Sequence, residues 1–153
     1  MTRQDHVERS GTLTLQGAPD AVFPLFGPDR EREWAEGWEP EPVYPPAVEA
    51  REGAVFRTQH GGAEAVWVVS RHDAAGRYVE YTTFRHDDRV TRIRVSVDPD
   101  RGHEGWSVAR VTYALTALSE QGAHYMAHFT EAHYREMMGE WEQAINRVLV
   151  GGA

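Results

Sequence analysis

The chain has no cysteine. That excludes disulfides, thiolate nucleophiles and zinc–thiolate centres, and it leaves the redox compartment open. Long apolar runs are missing too. Nothing approaches the roughly 18 consecutive apolar residues of a membrane span, and the opening residues MTRQDHVERSGTLTLQG lack an apolar core of signal-peptide length. The expectation is an intracellular, cytoplasmic protein with no membrane insertion. Positive charge is in deficit: 16 Lys and Arg stand against 24 Asp and Glu, for a formal net charge of −8. Nucleic-acid phosphates and anionic membrane surfaces are therefore poor partners. No Gly-rich phosphate loop follows a strand, no Ser nucleophile elbow is present, and there is no internal repeat or low-complexity tract.

What remains reads as one folded domain over residues 1–153. A chain of 153 residues buries roughly 70% of its unfolded surface. With 41% apolar and 10% aromatic residues it is not composed like a disordered segment.

Alternation around Leu13 and Leu15 predicts a strand over about 6–16, ended by Gly17. Ala18-Pro19-Asp20 has a helix start, with proline at the first position and an acid in the first turn. Gly27-Pro28 stops that short helix, and Asp29–Ala35 gives a second short piece. From residue 52 the period is two, with strands at Ala54–His60, Glu64–His72, Arg77–Arg85, Arg89–Val97 and Trp106–Leu118. Gly61-Gly62, Asp73–Gly76, His86–Asp88 and Asp98–Gly105 separate them with turn chemistry, so they form an antiparallel meander. Glu41–Val48 adds an edge strand, where its prolines are tolerated. Ser119–Val150 reads as a single long amphipathic helix capped by Ser119. Its apolar side carries Met126, Phe129, Thr130, His133, Tyr134, Met137, Trp141, Ala144, Ile145 and Val148; His124, His128, Glu131, Arg135, Glu142 and Asn146 lie opposite.

Several stretches resemble the SRPBCC superfamily, the START and birch-pollen-allergen-like proteins, in its uncharacterised bacterial polyketide cyclase/dehydrase-like branch. They are Phe23-Pro24-Leu25-Phe26, Glu31-x-x-Trp34, Gly37-Trp38-x-Pro40, Gly53-x-Val55-Phe56, the Trp67 strand, and Val111 through Ser119. The resemblance implies an α+β helix-grip fold. In it a curved antiparallel sheet wraps a long C-terminal α-helix, and two short helices follow the first strand. It also implies an apolar cavity between sheet and helix for a hydrophobic or amphipathic small molecule. Members of the cyclase type need no metal or organic cofactor, so none is expected. Fold alone does not fix activity. Cyclase- or dehydratase-like acid–base chemistry and a chaperone-cofactor-like interaction module stand as alternatives, and a homodimer is open.

Strand parity chooses the inward rows. Burying Arg57 and Gln59 costs more than burying Phe56, Thr58 and His60, so the latter go inward. Trp67 with Val69, Val79 with Tyr81 and Thr83, Thr91 with Ile93, Val95 and Val97, and Ala109 with Val111, Tyr113, Leu115 and Ala117 follow. A one-residue slip inverts any of these rows. The cavity-facing set is completed by Trp34 and Trp38 as a lid and by Phe129, His133 and Met137 from the helix. His60, His133, Tyr81 and Tyr113 are the candidate acid–base or anchoring groups. Glu31, Arg32, Glu33 and Glu36 are expected to face water or pair locally. His124, His128 and Glu131 have ligand-like spacing but lie opposite the apolar stripe, and Asp98-Pro99-Asp100 with Glu104 reads as a turn, so no metal site is assigned.

Overall fold

A computed structural model describes residues 5–60 and 62–151. Gly61, half of the expected Gly61-Gly62 turn, lies outside the described residues. Seven strands form one antiparallel sheet in the order β1-β7-β6-β5-β4-β3-β2. They are β1 (His6–Leu15), β2 (Glu41–Tyr44), β3 (Val55–His60), β4 (Ala63–Asp73), β5 (Tyr78–Arg85), β6 (Arg89–Pro99) and β7 (Ser107–Ala117). The meander β3 to β7 pairs neighbour with neighbour, whereas β1 crosses to pair with β7 from His6↔Thr116 to Leu15↔Ser107. The Arg85–Arg89 hairpin needs a left-handed residue, which Asp87 supplies at φ 52°.

Between β1 and β2 lie α1 (Pro19–Val22), a 3-10 turn at Phe23–Phe26 and another at Glu31–Glu33. Val22, Phe23, Leu25 and Phe26 are buried and fix this segment to the concave face. One side of the sheet carries the core: Val69, Val79, Tyr81, Ile93, Val95, Val97, Val111 and Leu115 are all buried. These belong to the rows that the alternation selects.

The expected single helix is two, α2 (Glu120–His128) and α3 (Glu131–Gly151). Ser119 caps α2 by accepting from the Gly122 amide, and Phe129 leaves the helix at φ −87°, ψ 62°. The break shifts the phase just after it, while Trp141, Ala144, Ile145 and Val148 keep the expected inward side. Tyr134 and Met138 take the inward positions, and His133 turns out to solvent, where its amide donates to Thr130 Oγ1.

Glu142 and Asn146 also depart from expectation. Rather than facing water alone, they close the outer edge of β1. Glu142 Oε1 accepts from the Thr14 amide at 2.7 Å, while Asn146 accepts from the Gln16 amide at 2.8 Å and donates to the Thr14 carbonyl at 3.1 Å. Edge amides left open would template pairing with another chain, and at the end of β1 α3 satisfies those of Thr14 and Gln16.

Candidate functional site

The grip leaves two adjoining cavities. The outer one, about 260 Å³, opens between the β3–β4 end of the sheet and α2. The inner one, about 100 Å³, lies under the Phe26–Trp38 segment. Trp38, Trp67, Ile93 and Tyr113 wall both.

The walls are set by aromatic edges and a few bonds. Trp34 is buried and donates its indole N–H to the Leu25 carbonyl at 2.7 Å, while Trp38 donates to the Pro28 carbonyl at 2.8 Å. Each Trp therefore spends its one polar atom on the turn that carries it, and its apolar surface faces inward. Trp38 meets Trp67 edge to face at 5.2 Å, Phe56 stacks behind Trp67 at 5.7 Å, and Trp141 of α3 meets Trp34 at 5.2 Å. Trp67 in turn donates to Thr58 Oγ1 at 2.9 Å.

Inside this frame polar groups are sparse. Tyr81 is spoken for, because its hydroxyl donates to the Phe26 carbonyl at 2.6 Å. Tyr113 has no such partner among the described residues, and burial holds both phenols well above their ordinary pKa. They are hydrogen-bond donors at neutral pH, not bases.

Glu31 is the unexpected member. It lines the inner cavity with Trp34, Tyr81, Tyr113 and Trp141, and its carboxyl has no hydrogen-bond or ion-pair partner among the described residues. Burial first, and the nearby Asp29 charge second, raise its pKa well above the usual carboxylate value. The expectation that Glu31 faces water is thus overturned. The reason is local: Glu31–Glu33 is a 3-10 turn, in which residues three apart eclipse, so Glu31 follows Trp34 inward while Arg30 and Glu33 pair outside at 2.7 Å.

The outer cavity has a basic mouth. Arg85 continues the inward row Tyr81, Thr83, and the β5–β6 register sets Thr83 opposite Thr91 and Arg85 opposite Arg89. Arg89 is clamped, with Asp88 at 2.7 Å and its guanidinium 3.4 Å from the Tyr125 ring centroid.

Of the residues anticipated to meet a guest, Trp34, Tyr81 and Val95 line the inner cavity. His60, Thr83, Phe129 and Met137 line the outer one, and Trp38, Trp67, Ile93 and Tyr113 line both. Phe56, Thr58 and Val111 are buried but support the walls from behind. His60 is exposed at the rim, and His133 lines neither cavity, having been turned away by the helix break. No His–Tyr pair is in hydrogen-bond contact among the described residues. His124 and His128 sit on the exposed side of α2 with rings 4.7 Å apart, and no group of three potential metal-ligating residues comes together among the described residues.

Alternation did not single out Arg85, although it stands two places beyond Thr83 in the same row. Glu31 stands three places before Trp34, a spacing that shares a face in an α-helix or a 3-10 turn, but its charge argued for water. No helix of the described residues is long and apolar enough to cross a membrane.

No protein-family model and no curated protein matches the chain. Solved structures do. Norcoclaurine synthase from Thalictrum flavum superposes with TM-score 0.67 at 11% identity, over 97% of this chain and 88% of that one. Ginseng major latex-like protein 151 from Panax ginseng gives 0.64 at 13%, over 94% and 97%. The di-domain ARO/CYC protein BexL gives 0.67 at 12% over 94% of this chain but only 47% of its own length, so the match spans about half of that protein. With a seven-stranded curved sheet closed on a long terminal helix, the chain has the helix-grip fold that these solved structures share.

Proposed function

We propose that the chain binds an amphipathic small molecule between the sheet and the two C-terminal helices. The observation that carries this is the pair of adjoining cavities walled jointly by Trp38, Trp67, Ile93 and Tyr113. Concave, mostly apolar space with a few convergent polar groups is what small-molecule sites consist of. The norcoclaurine synthase structure holds dopamine and hydroxybenzaldehyde, which supports small aromatic guests for a cavity of this fold. Native mass spectrometry, with displacement of a fluorescent fatty-acid probe, tests the reading. A one-to-one complex is the expected result; failure of a panel of aromatic and acyl ligands to bind overturns it.

A second reading, acid–base chemistry on such a guest, is favoured by one observation. Glu31 holds an unpaired, raised-pKa carboxyl in the inner cavity beside Tyr113. A protonated carboxyl can donate to a guest carbonyl oxygen, with the Tyr113 hydroxyl as a second donor. The acid is then Glu31 and not a histidine. All sixteen basic residues are arginine, so no lysine of this chain is available for Schiff-base catalysis. Dehydration of a β-hydroxy aryl ketone, in which solvent water takes the α-proton and returns it to the departing β-hydroxyl so that this leaves as water, would be followed by absorbance. Loss of turnover with retained binding in Glu31→Gln supports this reading, and a rate equal to the wild type's, or no wild-type turnover, overturns it.

A further inference from the structure

The mouth of the outer cavity carries a guanidinium that no hydrogen bond or ion pair holds among the described residues, although Asp88 and Tyr125 act on it from a distance. Arg85 and Arg89 face each other directly across the β5–β6 hairpin. Like charges in that position are destabilising. Asp88 is the one carboxylate that pairs there, and it is already committed to Arg89 at 2.7 Å and Gln121 at 3.1 Å. Of the other acids at that end of the sheet, Glu64 accepts from Gln59 at 3.2 Å, and Asp87 is exposed in the hairpin turn. The Arg85 side chain is half-buried and has no hydrogen-bond or ion-pair partner among the described residues. One step inward along its row, Thr83 Oγ1 is buried and likewise without a partner. Buried polar atoms are ordinarily satisfied, and those that are not call for an explanation.

We propose that this pole holds the carboxylate of an aromatic guest: Arg85 and Thr83 bind the anion, and the ring lies inward between Trp67, Tyr113 and Phe129. The inference rests on the ligand-binding reading above and names the class of ligand. A guanidinium offers parallel N–H donors that match the two oxygens of a carboxylate, and the threonine hydroxyl adds a third donor. The charge count favours a monoanion. Counting the half-buried groups, with the exposed Asp87 screened by water, Arg85, Arg89 and Asp88 sum to one net positive charge, which a carboxylate neutralises, whereas a dianionic phosphate would leave excess negative charge half-buried beside Asp88. Aromatic surfaces on several sides favour a flat ring over a flexible chain, and edge-to-face contacts are open to it.

Isothermal titration with 2-naphthoic acid and 2-naphthamide separates the charge from the ring. The wild type is expected to bind the acid at least tenfold more tightly than the amide. In Arg85→Gln that ratio falls below threefold while the affinity for the amide changes less than twofold. The melting temperature of this variant stays level or rises, because a like-charge pair has been relieved. Should Arg85→Gln unfold instead, Thr83→Val reads the same pole with the guanidinium in place, and costs the acid three- to tenfold and the amide nothing. Equal binding of acid and amide by the wild type overturns the carboxylate assignment alone, as does an acid preference that survives both substitutions. Tighter binding of 2-naphthyl phosphate than of the acid also overturns it. Binding of neither naphthalene overturns the ligand-binding reading together with this one.

Discussion

A carboxyl that ionises at its ordinary value in the unfolded chain but keeps its proton in a cavity couples stability to pH, and Glu31 is such a group. Both states are protonated well below the ordinary value of 4.5. Above it the unfolded chain releases the proton first, so stability falls as pH rises until the folded Glu31 ionises too. Its charged and titratable neighbours do not change this sign. Asp29 is the adjacent charge and raises the Glu31 pKa, while Tyr81 and Tyr113 stay neutral through this window. Glu31→Gln is therefore expected to flatten the decline between about pH 5 and pH 8 and to melt higher at the upper end. Thermal unfolding across that range checks it, and parallel profiles for variant and wild type would contradict it. Trp38→Ala removes a wall of both cavities and an indole bond to Pro28, at a cost of about 2–4 kcal/mol by urea unfolding. At this scale the sequence was partly legible. Period two put Trp67, Tyr81 and Thr83 on the inward side, and the same count carried one step further reaches Arg85. Glu31 was misplaced because its charge argued for water, although its spacing of three from Trp34 already set the two on one side.

Among elements, the break between α2 and α3 decides most of what an unbroken helical wheel gets wrong. Two non-helical residues, Phe129 and Thr130, are enough to turn His133 out and to bring Met138 inward beside Tyr134. The junction is held from the sheet, where Arg9 Nε donates to the Phe129 carbonyl at 3.3 Å. The other end of α2 is held by close packing: a Cβ on Gly122 would lie 1.9 Å from the Asp88 carbonyl oxygen, which is backbone and cannot swing aside. Gly122→Ala is expected to cost about 1–3 kcal/mol and to disturb the Asp88–Arg89 clamp. Denaturant melts read the first effect, and a changed salt dependence of naphthoic acid affinity reads the second. Glu142→Ala and Asn146→Ala each free edge groups of β1, for about 1 kcal/mol apiece. Faster amide exchange at Thr14 and Gln16 is the accompanying signature.

For the molecule as a whole, the order of elements was legible because alternation is strong from β3 to β7 and turn residues punctuate it. The closing of the sheet by β1 against β7 was not, since no local pattern states which distant strand becomes the partner. That pairing joins Leu13 to Ala109 and makes the topology strongly non-local. Refolding from denaturant is expected in the millisecond-to-second range, and completion within microseconds would contradict it. On the ribosome the same pairing imposes a delay. At about 5–20 residues per second, β1 is made roughly 5–20 s before β7 is complete. The α3 side chains that cover its outer edge come later still. Throughout that interval the first strand has neither of its neighbours, so it is the segment of the nascent chain most in need of a chaperone.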